Sequence, residues 1–172
     1  PEDQLPLFDR AVVNLRKLLV LDSPPEPGKV HYILGKTYYH KGRFYLDLAV
    51  HHLEKSVQEE YIADDTYRYL GLALGEMGSY EESIKYFLEA AKKKPDAILY
   101  MTIGQTYYKM GQNEKALDFL GRSVKVTEEM AIEQRARFLL GKIYMDMDQL
   151  EKARDQYNKI LSNDSRDRKS VV

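Results

Sequence analysis

A glycine flanked by apolar residues recurs four times along the chain, and this repetition constrains the fold more than any other feature. In each case a leucine or isoleucine precedes the glycine, and a tyrosine or leucine comes three positions after it. The glycines are Gly35, Gly71, Gly104 and Gly141, at successive spacings of 36, 33 and 37 residues. Self-similarity at such a period indicates a repeat architecture, in which each unit buries its apolar face against its neighbours.

A second recurring position lies seven residues after each of these glycines. It is Gly42, Gly78 or Gly111 in the first three units and Asp148 in the fourth. A glycine there can adopt the left-handed conformation that ends a helix. Small and large apolar residues then alternate at helical spacing, which predicts a second helix with one buried stripe. The stripe positions are Ala49, Leu53 and Ser56; Ser83, Phe87 and Ala90; Ala116, Leu120 and Ser123; Ala153, Tyr157 and Ile160.

Each unit is therefore predicted to be two short helices joined by a turn. The recurring glycine inside the first helix costs about 1 kcal/mol relative to alanine. Its repetition predicts that a neighbouring helix approaches too closely for a side chain. Helix caps are predicted at Asp96 and Asn113, and Asp148 is predicted to cap in the last turn.

The combined pattern resembles the tetratricopeptide repeat (TPR) family, whose helix–turn–helix units of 34 residues stack into a right-handed superhelix. The cleanest match lies within 67–95 and comprises Tyr67, Leu70, Gly71, Leu74, Gly78, Ser83, Phe87, Ala90 and Pro95. The resemblance implies an all-α, right-handed α-solenoid. Its four repeats are expected at 28–63, 64–96, 97–133 and 134–161, after an N-terminal helix and Pro-rich loop (1–27) and before a disordered tail (162–172).

The repeats depart from the family pattern at three places. Two extra residues between Gly42 and Ala49 are expected to lengthen or bulge the second helix of the first repeat. Three extra residues in 124–134 amount to nearly one helical turn before the fourth repeat. That repeat also has Arg137 at the usual aromatic position, so it is the weakest match.

The predicted helix over 5–21 has Ala11, Leu15 and Leu18 at the spacing of a second repeat helix. No polar capping helix follows the last repeat, although repeat proteins normally need one. We therefore expect a fragment of a longer repeat protein, or a last helix that pairs with another copy. The alternative is a complete short domain with frayed ends.

Composition excludes several classes of function. Lys and Arg total 26 against 27 Asp and Glu, and this balance argues against binding nucleic acid by phosphate neutralisation. The absence of cysteine excludes disulfides, thiolate metal sites and cysteine nucleophiles. No apolar run approaches the roughly 18 residues of a membrane-spanning helix. The histidines, which are predicted to be structural, are His31, His40, His51 and His52.

The family resemblance implies that the first helices line a concave groove that binds a partner. On the groove positions, aromatic and methionine side chains alternate with six cations and three anions: Lys29, Lys36, Arg68, Lys109, Arg135 and Lys142 against Asp65, Glu76 and Asp146. Such a surface suits a peptide or amphipathic helix with apolar anchors and acidic flanks. The candidate binding residues are Tyr32, Lys36, Tyr39, Arg68, Tyr69, Leu72, Met101, Gln105, Tyr108, Lys109, Phe138 and Lys142.

An alternative is that these aromatic residues only pack between adjacent first helices. One known mode of the family, the clamp for C-terminal carboxylates, needs Lys, Asn and Arg at set positions. Here Tyr32, Tyr69 and Thr102 stand at such positions, so binding of an acidic C-terminal tail is disfavoured.

The sequence thus predicts a non-enzymatic scaffold or adaptor that helps to assemble a multiprotein complex, without metal, cofactor or direct membrane insertion. Two alternatives stay open. One is an RNA-binding helical repeat, for which interleaved aromatic and basic residues would be compatible. The other is a homo-oligomer formed through the end helices, with Leu150, Tyr157 and Leu161 among the contacts. A cytoplasmic location is expected, or a periplasmic or membrane-associated assembly if the chain is a fragment.

Overall fold

The computed structural model describes the backbone of residues 5–169 and the side chains of residues 7–162. Within that range the chain forms nine α-helices and a short 3₁₀ turn over Arg43–Tyr45, with no strand. The helices are α1 (Leu5–Leu19), α2 (Pro27–Lys41), α3 (Leu46–Gln58), α4 (Thr66–Met77), α5 (Tyr80–Lys93), α6 (Ala97–Lys109), α7 (Asn113–Val126), α8 (Met130–Asp146) and α9 (Leu150–Lys169). In this described part no helix is long and apolar enough to cross a bilayer.

The helices form two compact units, divided between Lys93 and Lys94. In the first unit α2 packs on α3 and α4 on α5, and α1 packs on α2. In the second unit α6 packs on α7 and α8 on α9. The predicted four helix pairs are therefore present.

Each recurring glycine of a first helix faces a large side chain of the helix that follows. A Cβ atom at Gly71 would lie 2.5 Å from Cδ1 of Phe87, and one at Gly35 would lie 2.5 Å from Cγ of Leu53. The corresponding neighbours of Gly104 and Gly141 are Leu120 and Tyr157, both at 2.7 Å. The prediction of close helix approach is confirmed, because at all four positions an added Cβ would overlap a side chain of the following helix.

The turns of the last three helix pairs each contain a residue in the left-handed conformation. Gly78 and Gly111 have φ of 88° and 72°, which is the left-handed conformation expected at a helix end. Asp148 takes the same role with φ of 56°, so it ends α8 instead of capping α9, which begins two residues later. The predicted cap at Asp148 is therefore wrong.

The extra residues of the first repeat lie in its turn and not in its second helix. Gly42, with φ of 106°, is followed by the 3₁₀ turn, and α3 begins only at Leu46. With 13 residues α3 is no longer than its counterparts α5 and α7. The expected lengthening is thus not observed, because the 3₁₀ turn accommodates the insertion before the first buried residue of α3, Leu46.

The insertion before the fourth repeat extends its first helix. Helix α8 has 17 residues, the most of the four first helices. Arg137, at the usual aromatic position, is held by Glu133 at 2.6 Å and by the amide oxygen of Gln156 at 3.2 Å. A polar network thus replaces an aromatic contact there.

One of the two helix caps predicted at Asp96 and Asn113 is observed. The Asp96 carboxylate accepts a hydrogen bond of 2.8 Å from the Leu99 N–H, which confirms the predicted cap. The predicted cap at Asn113 is wrong, because Asn113 lies inside α7 and Gln112 precedes the helix without a side-chain bond. A residue with helical backbone cannot occupy the extended capping conformation.

Both terminal helices differ from the sequence expectation. The inner face of α1 carries Val12 with Leu15 and Leu19, whereas Leu18 is 36% exposed. Helix α9 runs to Lys169, so its backbone enters the segment 162–172 for which disorder was expected. That segment contains no proline or glycine to end the helix. Residues 170–172 lie outside the described part of the chain.

The contact at Gly71 predicts opposite effects for two glycine-to-alanine changes. Gly71→Ala should lower the free energy of unfolding by about 1–3 kcal/mol, because its Cβ would overlap the Phe87 ring. Gly121→Ala, at a helical position with no atom within 4 Å, should raise it by about 0.5–1 kcal/mol. Urea unfolding followed by circular dichroism measures both. Equal effects would contradict the close-approach role of Gly71.

Candidate functional site

In the first unit, the predicted binding residues of α2 meet an aspartate that immediately precedes α4. The Tyr32 hydroxyl donates to Asp65 at 2.5 Å, and the Lys36 ammonium donates to the other carboxylate oxygen at 2.8 Å. Lys36 also lies 4.8 Å from the centre of the Tyr69 ring. Burial alone would raise the pKa of Asp65, but the bonds from Lys36 and Tyr32 outweigh it and lower that pKa.

A second bridge joins α2 to the far end of α4. The Tyr39 hydroxyl donates to Glu76 at 2.8 Å. The Tyr39 and Tyr69 rings meet edge to face with centres 5.3 Å apart, and the Tyr69 hydroxyl lies 3.2 Å from Nε2 of His40. Burial and the bond to Glu76 raise the pKa of Tyr39, so its hydroxyl keeps its proton.

The second unit repeats this bridge between α6 and α8. The Tyr108 hydroxyl donates to Asp146, and the Lys142 ammonium lies 5.3 Å from the centre of the Tyr108 ring. Tyr39 and Tyr108 each stand four residues after a recurring glycine, and Glu76 and Asp146 each stand five residues after the next one. We call these two contacts the Tyr–acid bridges. These bridges were not predicted from the sequence, although the constant spacing of each tyrosine and each acid from the recurring glycines can be read from it.

All three anions of the predicted groove thus accept a hydrogen bond from a tyrosine of the preceding repeat. These tyrosines, which were predicted to face a ligand, therefore form contacts between adjacent repeats. The packing alternative, in which aromatic residues join adjacent first helices, applies to Tyr32, Tyr39 and Tyr108.

An open pocket of about 440 Å³ lies in the second unit, on α6, α8 and α9. Its lining residues are Gln105, Gln134, Arg135, Phe138, Leu139 and Ile160. We call it the α8 pocket. Most of its lining is apolar, and Phe138 is 56% exposed. Gln105 and Phe138 were predicted as binding residues from the sequence, but Gln134 and Ile160 were not. The approach of these two residues to each other depends on how α9 packs on α8.

Arg135 of α8 differs from Lys36 of α2 in its partners. Its side chain is exposed, and among residues 7–162 no carboxylate pairs with it. Lys36, by contrast, is already bound to Asp65. The α8 pocket therefore combines an apolar surface with an available positive charge.

The remaining predicted residues are placed as follows. Met101 is only 6% exposed, so its side chain cannot serve as a surface contact. It points into the core because α6 is apolar on several faces. Lys109 and Lys142 are exposed, and the half-buried residues are Arg68, Tyr69 and Leu72.

The histidines of α2 and α3 form a half-buried pair, which agrees with the structural role predicted for them. Nδ1 of His31 lies 2.8 Å from Nδ1 of His52, and the His52 ring stacks on Tyr38 with centres 5.5 Å apart. Burial, together with the nearby charges of His31, His51 and Arg16, lowers the pKa of His52 to about 4. No group of three or more potential metal ligands comes together in the described residues.

Comparison with known families gives the repeats their identity. A tetratricopeptide repeat family model matches residues 70–96, 97–129 and 134–167, which is more than half of the chain. This chain belongs to the tetratricopeptide repeat family. The recognition from sequence is confirmed, and so is the all-α solenoid fold.

Relatives extend this assignment without naming a partner. A TPR repeat-containing protein of Methanocaldococcus jannaschii is 30% identical over 140 residues, which cover 75% of this chain and 24% of that protein. The chain thus spans about a quarter of that relative's length. Membership of the TPR family supports a general role in protein interaction, and the family's scaffolds are generally non-enzymatic.

Two solved structures share the fold. The crystal structure of MamA superposes with a TM-score of 0.82 at 24% identity, covering 94% of this chain and 91% of that one. YrrB, described as a TPR protein with an unusual peptide-binding site, gives a TM-score of 0.79 at 20% identity, covering 93% and 79%. At these identities the likeness concerns the fold alone.

Removing a hydroxyl from a Tyr–acid bridge should weaken the fold slightly. Tyr39→Phe or Tyr108→Phe should each lower the free energy of unfolding by about 0.5–1.5 kcal/mol, because an acid loses its hydrogen bond. Tyr144→Phe is the matched control, since its hydroxyl bonds to no described residue. Chemical unfolding of the three variants measures the effect, and equal stabilities would contradict the bridges.

The histidine pair predicts a loss of stability in mild acid. The ordinary pKa of histidine is 6.5, so between about pH 6.5 and pH 4 the unfolded chain binds a proton at His52 that the folded chain does not. Stability should be fully present above pH 6.5 and fall by about 1–2 kcal/mol as the pH drops to about 4. His52→Gln should reduce this dependence, measured by unfolding at several pH values. His51→Gln, which removes only a nearby charge, should reduce it less than His52→Gln does.

Proposed function

We propose that this chain is a non-catalytic adaptor that binds a short segment of a partner protein and so helps to assemble a multiprotein complex. The observation that carries the proposal is the α8 pocket, an open apolar cavity beside the unpaired cation Arg135. Its volume falls within the range of roughly 300–1,000 Å³ that is usual for ligand pockets.

The apolar part of the surface is suited to an anchor side chain. Phe138 and Met145, two helical turns apart on α8, are 56% and 50% exposed. Large apolar or aromatic side chains that fill such pockets supply most of the affinity in peptide recognition. A partner segment that buries one aromatic or large aliphatic residue in the α8 pocket would cover this surface.

The charged part favours an acidic ligand. Asp146 is already bonded to Tyr108, whereas Arg135 and Lys142 are exposed on α8. An incoming carboxylate would therefore reach Arg135 without displacing a carboxylate of the described residues. Because Arg135 and Phe138 are one helical turn apart, the ligand's acid should lie within about four residues of its anchor.

The first unit is less suited to this role. Lys36 is paired with Asp65, and Tyr32 and Tyr39 are engaged by acids. Binding there would first have to break these contacts. We therefore propose that the main contact with the partner lies on α6 and α8. This surface is smaller than the groove expected from the sequence, which included the first helices of all four repeats.

A selection from random displayed peptides tests this proposal. Peptides that bind should be enriched in an aromatic or large aliphatic residue with Asp or Glu within about four positions. For a synthetic peptide so selected, Arg135→Glu and Phe138→Ala should each weaken binding by roughly tenfold or more, measured by titration calorimetry.

Two exposed residues at the end of α7 provide matched controls. Lys125→Glu repeats the charge change and Val126→Ala repeats the apolar truncation outside the α8 pocket, and both should leave affinity unchanged. Equal losses in the control variants would contradict the pocket assignment. Salt-sensitive binding of single-stranded RNA, with no peptide selected, would favour the RNA-binding alternative.

A further inference from the structure

We infer that this chain associates with itself head to tail, by inserting Phe44 of one copy into the α8 pocket of another. The inference rests on the proposed function in using the same pocket, and it goes further by naming an occupant. Two features that are separate in the chain carry it: an aromatic side chain with no covering contact, and an open apolar pocket with an unpaired cation.

Phe44 is the most exposed large apolar residue of the described side chains, at 98%. It lies in the 3₁₀ turn that contains the two-residue insertion of the first repeat. The neighbouring Tyr45 turns inward, where its ring stacks on Tyr38 with centres 6.1 Å apart. Of the two aromatic residues in this turn, therefore, one serves the core and the other projects into solvent.

Full exposure of a phenylalanine has a cost that the fold does not offset. Removing such a side chain from water is favourable, and no described residue of the first unit covers it. Aromatic residues that project from a surface are typical anchors of protein interfaces. Leu48, four residues after Phe44 and inside α3, is also 42% exposed.

An acid accompanies this aromatic anchor. Asp47 lies three residues after Phe44, in the first turn of α3, and its side chain is exposed. It forms no ion pair with any residue in the described part of the chain. The segment from Phe44 to Asp47 is thus an apolar anchor followed within one turn by a carboxylate.

The α8 pocket offers the complementary pair. Phe138, Leu139 and Ile160 provide an apolar lining, and Arg135 supplies an unpaired cation on the same helix as Phe138. The aromatic ring of Phe44 would cover Phe138, and the Asp47 carboxylate would meet Arg135. Neither charge has an ion-pair partner among the described side chains, so pairing them breaks no salt bridge there.

The two surfaces differ, so the contact is heterologous. Each copy would offer one turn and one pocket, and association would continue until a ring closes or the chain of copies ends. One contact of this size buries little area, so the association should be weak. This mode differs from pairing through the end helices, because neither α1 nor α9 exchanges between copies.

Sedimentation velocity over a concentration series provides the first test. The wild-type chain should show a rising average mass between about 10 μM and about 1 mM, the range of a weak interface. Phe44→Ala should reduce the association constant by roughly tenfold or more. Met77→Ala, which truncates an exposed apolar residue at the end of α4, should leave it unchanged. Circular dichroism should show equal helicity in all three.

A mixing experiment tests the pairing of the two surfaces. Phe44→Ala keeps an intact pocket and Arg135→Glu keeps an intact turn, so each should be monomeric alone. Their mixture should form a 1:1 dimer that grows no further, because each copy then has only one usable surface. Asp47→Lys combined with Arg135→Glu in one chain should restore association by reversing both charges.

The outcomes separate this inference from the proposed function. A wild-type chain that stays monomeric at high concentration, or one whose association survives Phe44→Ala, overturns the inference. Failure of the charge reversal to restore association overturns the pairing of Asp47 with Arg135. In any of these cases, peptides selected on the α8 pocket would still support the proposed function. If the chain neither associates with itself nor selects peptides through the α8 pocket, the pocket is not a binding site.

Discussion

The close contact between a glycine of one helix and a large side chain of the next is the constraint on which this structure depends. At Gly71 a single added carbon would overlap the Phe87 ring, and the same holds for the equivalent glycines. The contact brings two thin amphipathic helices near enough to bury a shared core. Because it recurs in all four helix pairs, the chain repeats one helix-pair unit four times.

The Tyr–acid bridges decide what the first helices can offer to a ligand. Tyr39 and Tyr108 extend from one first helix to an acid of the next, and they use side chains that would otherwise be free for a ligand. A hydrogen bond from a tyrosine hydroxyl occupies an acceptor of each acid but does not remove its charge. Because Lys36 is paired with Asp65 while Arg135 has no carboxylate partner among the described side chains, we propose the α8 pocket as the binding surface.

The two-residue insertion of the first repeat matters most for the inferred self-association. It forms the 3₁₀ turn that presents Phe44 to solvent. The α8 pocket, by contrast, is built on regular repeat positions, because Arg135 and Phe138 stand six and three residues before Gly141. An inserted position and regular positions of the repeat thus both present exposed side chains.

The sequence by itself determined the helix pairs, the glycine contacts, the Asp96 cap and the family, because these depend on spacing along one or two adjacent helices. Only the tertiary structure decided that Asp148 adopts a left-handed turn, that Met101 is buried and that Tyr108 binds Asp146. The α8 pocket also belongs to this second group, since its lining comes from three helices. Periodicity reports which face of a helix is apolar, but it does not report which side chains of distant helices meet, and that proximity creates the site.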